Sequence, residues 1–201
     1  MRTSRLLLGT TAIVVAACSP KSEPANTGDT AAASTTPATA TVPAAATAAA
    51  PAVNDAQIAA IVVAANQVDI DAGKLAESKA TNARVKTFAR QMATDHAGVN
   101  KAATALVTKL GVTPEPNETS RSLTAGGEQN RSALQGTSGA DFDKAYIDNE
   151  VTYHQTVLDA LDSTLIPNAQ NAELKNMLVT TRPAFEAHLK MAKDVQGSLA
   201  R

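Results

Sequence analysis

Beginning at Val53, the chain carries four long runs in which apolar residues return every three or four positions, and little that reads as strand. Ile58, Ile61, Ala65, Val68, Ala72 and Leu75 form the first stripe, behind Asn54 as N-cap, in a helix expected to reach about Ala80. The second runs from Thr81 or Asn82 to Gly111, along Val85, Phe88, Met92, His96, Val99, Ala103, Leu106 and Leu110. The third starts after Gly139 and is expected to reach about Leu165, where Pro167 ends it; Phe142, Tyr146, Glu150, His154, Val157 and Leu161 lie in line. The fourth runs from about Ala169 to Leu199, along Leu174, Leu178, Thr181, Phe185, His188, Ala192, Val195 and Leu199. Each helix would be roughly 40–45 Å long. Four amphipathic helices of matched length specify an all-α four-helix bundle.

The joints decide the connectivity. Helices one and two, and helices three and four, are separated by few residues and should form antiparallel hairpins. Between helices two and three lies a long joint, Val112 to Ser138, expected to run back along the bundle with a short helix around Glu128 to Leu134. Two hairpins joined by one long crossover is the ferritin-like connectivity; an up-down bundle with a long loop is the alternative. "TAGGEQN" within the joint reads as a turn. Composition agrees with close helix packing: the chain is rich in Ala and has two Tyr, three Phe and no Trp.

All three histidines of the chain fall on apolar stripes, on three different helices. His96 and His154 lie near mid-helix and His188 slightly past it, so the imidazoles are positioned to converge at mid-bundle. Asp69 occupies the middle of helix one, a turn before Gly73, and Glu150 stands four residues before His154 on one face. A carboxylate inside a bundle is costly unless it is paired or holds a metal. Three imidazoles with a carboxylate are a reasonable ligand set for Zn, Cu or Fe. His96, His154, His188, Asp69 and Glu150 are therefore the candidate metal ligands, with Asp95 and Tyr146 behind them. Adjacent helix residues point about 100° apart, which makes Asp95 a boundary residue that orients its surroundings. The same residues also fit a buried His–carboxylate hydrogen-bond network without metal.

Pro183 admits two readings. It deprives the Val179 carbonyl of its donor and would kink helix four a turn before His188. Alternatively, Thr181 caps a new helix with Pro183 in its first turn, and this second reading is the expectation. Arg182 and the other basic residues on the helices read as solvated faces.

The N-terminal segment stands apart. Arg2 and Arg5 precede an apolar run, Leu6 to Ala17, the layout of a secretory signal and too short to span a bilayer. The only cysteine, Cys18, follows in "VAAC", which resembles the lipobox of bacterial lipoproteins; an ordinary signal with a Cys just beyond it is the alternative. Residues 1–17 are read as the signal. Residues 18–52 are read as a lipidated Cys and an Ala/Thr/Pro tether, and 53–201 as the folded domain. Lipid on Cys18 would anchor the chain to a membrane without a transmembrane helix. The expected address is the bacterial cell envelope, on the periplasmic face of the outer membrane.

Residues from about Val53 to Leu199 resemble the bacterial domain-of-unknown-function 4142 family of the ferritin-like superfamily. Its Met-x-x-Asp-His motif stands as Met92, Asp95 and His96, and its Phe-Asp-x-x-Tyr as Phe142, Asp143 and Tyr146, followed by His154. Its helix-four Pro and His-Leu stand as Pro183, His188 and Leu189, and its helix-one acid and Gly as Asp69 and Gly73. The resemblance implies the ferritin-like bundle and implies no activity. Ferritin-like di-iron sites use Glu-x-x-His on two helices. Here Ala93, Val151 and Phe185 stand three residues before the histidines, which disfavours a ferroxidase or di-iron oxygenase.

Other chemistry is set aside. A formal net charge of −1 gives no electrostatic case for nucleic acid. There is no phosphate-binding Gly loop and no nucleophile elbow, and no thiol follows Cys18. The expected protein is a lipid-anchored envelope protein with a His-lined bundle that binds a metal ion or small ligand. No catalytic residue is assigned, and the partner protein is not specified. The alternative is a structural or stress-related envelope interaction module whose histidines organise the core. A metal-dependent redox enzyme ranks third.

Overall fold

A computed structural model of the chain describes residues 53–200, which are helical apart from short joints. The signal, Cys18 and the tether lie outside the described residues. Helix α1 spans Asp55–Lys79, α2 Ala83–Lys109, α3 Glu118–Gln135, α4 Gly139–Ala160, α5 Ile166–Asn168 and α6 Ala172–Leu199; a π-helical turn, Leu161–Leu165, joins α4 to α5. Asparagine opens most of the long helices. Asn54 and Gln57 form a reciprocal capping box at α1, and Asn117 and Ser120 do so at α3. Asn82 and Asn171 accept backbone N–H groups at the starts of α2 and α6. After α2, Gly111 turns the chain out of the helix at φ 65°.

The hairpins α1–α2 and α4–α6 pack side by side, with α2 against α6 and α1 against α4, and α3 returns along α1 as the crossover. Acidic residues lock each hairpin to the turn of the other. Asp143 of α4 accepts the Thr81 and Asn82 N–H groups at the α1–α2 turn, at 3.0 and 2.8 Å. Asp55 of α1 accepts the Gln170 and Asn171 N–H groups at the start of α6, both at 2.9 Å. Each carboxylate thus sits at a helix N-terminus, where exposed N–H groups and the helix dipole favour negative charge.

Three local expectations are corrected. First, α3 is a full 18-residue helix, and the glycines of "TAGGEQN" lie inside it rather than in a turn. Gly127 has a packing reason to be there: a Cβ would come within 2.6 Å of Val68, so its absence lets the crossover lie against α1. Second, Pro167 does not end the helix. The Ile166 N–H reaches back five residues to the Leu161 carbonyl, and Pro167 lies within the short helix that follows. Third, α6 passes through Pro183 unbroken. Thr181 does not cap a new helix; its Oγ1 donates back to the Met177 and Leu178 carbonyls, at 2.7 and 3.2 Å.

The core falls into two apolar halves. Phe88, Met92, Phe142, Tyr146 and Ala192 belong to one, and Ile58, Ile61, Leu158, Leu174 and Leu178 to the other. Along α1, α2 and α4 a buried polar layer separates them: Asn66 and Asp69, His96, and Glu150 with His154. His188 joins that layer from α6. Among the described residues no helix is long and apolar enough to cross a membrane.

Candidate metal centre

The three imidazoles meet at mid-bundle. Their ring centroids stand 5.5 Å apart for His96 and His154, 5.3 Å for His96 and His188, and 5.5 Å for His154 and His188. That is a nearly equilateral triangle drawn from α2, α4 and α6. Helix α1 supplies Asp69, whose Oδ2 lies 3.1 Å from His96 Nε2 and 3.6 Å from His154 Nε2. Close approach of α1 and α2 sets this geometry. A Cβ on Gly73 would stand 2.8 Å from the Ala89 carbonyl oxygen and 3.1 Å from the Ala93 nitrogen, so only glycine lets the two backbones come this near.

Each histidine commits one ring nitrogen to the protein. His96 Nδ1 lies 2.9 Å from Asn66 Oδ1, and the Asn66 amide is itself fixed by donating to the Val62 carbonyl. His154 Nδ1 lies 3.0 Å from the Glu150 carbonyl oxygen, which makes it the donor. His188 Nε2 lies 3.1 Å from Asp95 Oδ2. The other nitrogens, His96 Nε2, His154 Nε2 and His188 Nδ1, are buried without a hydrogen-bond partner. Both Asp69 oxygens, Glu150 Oε2 and the Tyr146 hydroxyl share that condition. Asp69 approaches the two imidazoles closely but off the hydrogen-bond direction.

So many polar atoms short of a well-directed protein partner in one buried layer is costly unless something else satisfies them. Two overlapping donor sets result: His96, His154 and His188, and Asp69, Glu150 and His154, with the ligand atoms of each set within 4.8 Å of one another. One nitrogen anchored by an amide, carbonyl or carboxylate and the other aimed at a common point is how proteins hold metal-ligating histidines.

Burial sets the protonation. Desolvation, aided by the His154 and His188 rings, pushes His96 down to about 2. His188 is lowered by desolvation and by the His154 ring, against an upward pull from Asp95. Desolvation pushes Glu150 up to about 8, although the Tyr146 hydroxyl and Asp69 draw it down. It also raises Asp69 well above the carboxylate range, with Glu150 adding to the rise. Tyr146 is raised by burial and by the two carboxylates. Near neutral pH the metal-free layer therefore holds neutral His96 and His188 and a Glu150 carboxyl that retains its proton.

The structure brings together all five sequence-level ligand candidates, with Tyr146 beside Glu150. Asp95 lies at the edge and orients His188 rather than its neighbour His96. Sequence reading passed over Asn66, four residues after Val62 and three before Asp69, which gave it a core-facing position. It read Phe185 only as a stripe residue, although its ring lies 5.2 Å from that of His96, and it passed over Tyr153, which donates to the Ala65 carbonyl at 2.8 Å. Arg182, read as solvated, makes a two-pronged contact with Asp162, at 2.6 and 2.7 Å.

No curated protein and no solved structure matches this chain. The family model described as "Domain of unknown function (DUF4142)" matches residues 40–195, and the chain belongs to that family.

Proposed function

We propose that this protein is a metal-binding member of its family, holding one zinc, copper or iron ion through His96, His154, His188 and Asp69, with Glu150 beside them. One observation carries the reading: three buried imidazoles each spend one nitrogen on a fixed protein partner and leave the other unpaired toward the rest. Small ring rotations would bring nitrogens so close to the roughly 2.0–2.1 Å of a His–zinc bond. A cation would also offset the cost of two carboxyl groups buried side by side. The sequence supports an envelope address, with Cys18 as the lipidated residue and residues 19–52 as the tether. The role we propose is binding rather than turnover.

Elemental analysis of the full-length chain, purified without a His tag or chelator, tests this beside a His96→Ala, His154→Ala, His188→Ala triple variant. About one metal per chain, lost in a variant that keeps its helical signal, supports the proposal. No metal in either sample after addition of Zn, Cu and Fe would sink it. The cluster would then be a core network in an envelope interaction module.

A further inference from the structure

A cavity of about 130 Å³ lies next to the polar layer, among α1, α2, α3, α4 and α6. Of the three histidines, His96 alone lines it, together with Asn66 and a wall that is otherwise aliphatic, aromatic or threonine. Its polar side chains are turned toward the protein. Asn66 donates to the Val62 carbonyl, Tyr153 to Ala65, Thr156 to Thr152 and Thr181 to Met177. Thr119 and Thr156 stand at an exposed rim between α3 and α4. No charged residue lines the space. A water needs two to four polar partners to be held in such a site, and this wall has few to give.

Two helix irregularities lie at the cavity. Leu161 and Leu165, the ends of the π-helical turn, are both on the wall. Opposite them, Met177, Leu178, Thr181 and Phe185 come from the stretch of α6 where Pro183 removes a backbone donor and Thr181 bonds back. Arg182 holds the two irregular segments together through Asp162. A π turn adds a residue and widens the helix locally, and such turns recur at functional sites.

We infer that this cavity is a second ligand site, which takes one small, uncharged, apolar molecule about the size of benzene and seats it against His96. The volume supports this, since a dry apolar cavity of about 150 Å³ binds benzene or xenon. The wall offers dispersion contacts and almost nothing that would reward a polar or charged guest. The site stands independently of the metal reading, although a guest in it would reach the imidazole shared with the cluster.

Benzene and xenon titrations test the inference on the full-length chain carrying Cys18→Ser, in detergent-free buffer, followed by methyl NMR. Saturable shifts at the Leu161, Leu165 and Met177 methyls are expected, with none at Val195 in the far half of the core. Val157→Phe and Ala160→Leu fill the space from two directions; each should abolish the shifts, and either variant that remains folded suffices. The titration is repeated with and without added Zn, Cu or Fe. Uptake in a sample that binds no metal keeps this inference and removes only the metal proposal. Absence of saturable shifts in the unfilled protein, or undiminished shifts in a folded filled variant, overturns it.

Discussion

Asp95 reaches from α2 across to α6, where its Oδ2 lies 3.1 Å from Nε2 of His188. It is half-exposed while the imidazole it meets is buried, so it fixes the ring from outside the layer and leaves Nδ1 turned away from the carboxylate. Adjacent residues on one helix thus serve different rings: His96 enters the cluster and Asp95 positions His188. Asp95→Asn should lower metal affinity about 10–100-fold, the usual effect of removing a group that orients a ligand, with little loss of stability. Competition titrations against a chelator, with a thermal melt on the same samples, would check this. Unchanged affinity would show that Asp95 does not position the ring for a metal.

Gly73 and Gly98 make a matched pair. Alanine at Gly73 would press a methyl group onto the Ala89 and Ala93 backbones, which cannot swing aside, whereas a Cβ on Gly98 meets nothing within 4 Å. Gly73→Ala should destabilise by about 1–3 kcal/mol, the range for overpacking, and separate Asp69 from His96. Gly98→Ala should stabilise by about 0.4–1 kcal/mol through lost unfolded-state freedom. Urea denaturation of both variants gives the signs directly. Equal effects would mean that the α1–α2 approach does not depend on Gly73.

The bundle was legible because its stripes are long and two of its starts are marked by asparagine, Asn54 and Asn82; Asn171, the cap of α6, was passed over for a start near Ala169. The cluster was legible because histidines at stripe positions have only one place to point. What escaped was context. Gly126 and Gly127 read as a turn since nothing local shows that Val68 needs the space. Pro167 read as a stop because a five-residue backbone bond around it leaves no pattern in side-chain type. Asn66 was missed as a polar residue in an apolar run, although its spacing from Val62 and Asp69 marked it as core-facing.

Asp143 separates the frame from the site. Its carboxylate takes the Thr81 and Asn82 N–H groups and the Thr81 hydroxyl, the last at 2.6 Å. Asp143→Ala leaves those donors short of a partner where α2 begins, and should cost about 0.5–2 kcal/mol, the range for loss of a helix cap. The cluster lies further along the bundle, so metal content per folded chain should not change. A fall in metal content at full helicity would show instead that this joint controls the layer.

The pH dependence of the metal-free protein follows from the buried groups. Glu150 is pushed up to about 8 from an ordinary 4.5, so between those values the folded chain holds a proton that the unfolded chain has released. Its contribution to stability therefore falls as pH rises through that window and is flat above it. Asp69, also raised, acts with the same sign. His96 is pushed down to about 2 from 6.5, and there the unfolded chain binds the extra proton, so that contribution rises with pH up to about 6.5. The slopes oppose one another below pH 6.5, and above it the carboxyl slope stands alone. Metal-free protein should accordingly lose stability from pH 6.5 to 8, and Glu150→Gln should flatten part of that loss. Metal binding favours deprotonated ligands, so metal affinity should rise over the same interval. Urea midpoints at the two pH values, for metal-free and metal-loaded samples of both proteins, would measure all of this. Metal-free stability that stays level from pH 6.5 to 8 would mean that the buried carboxyls have already released their protons at pH 6.5.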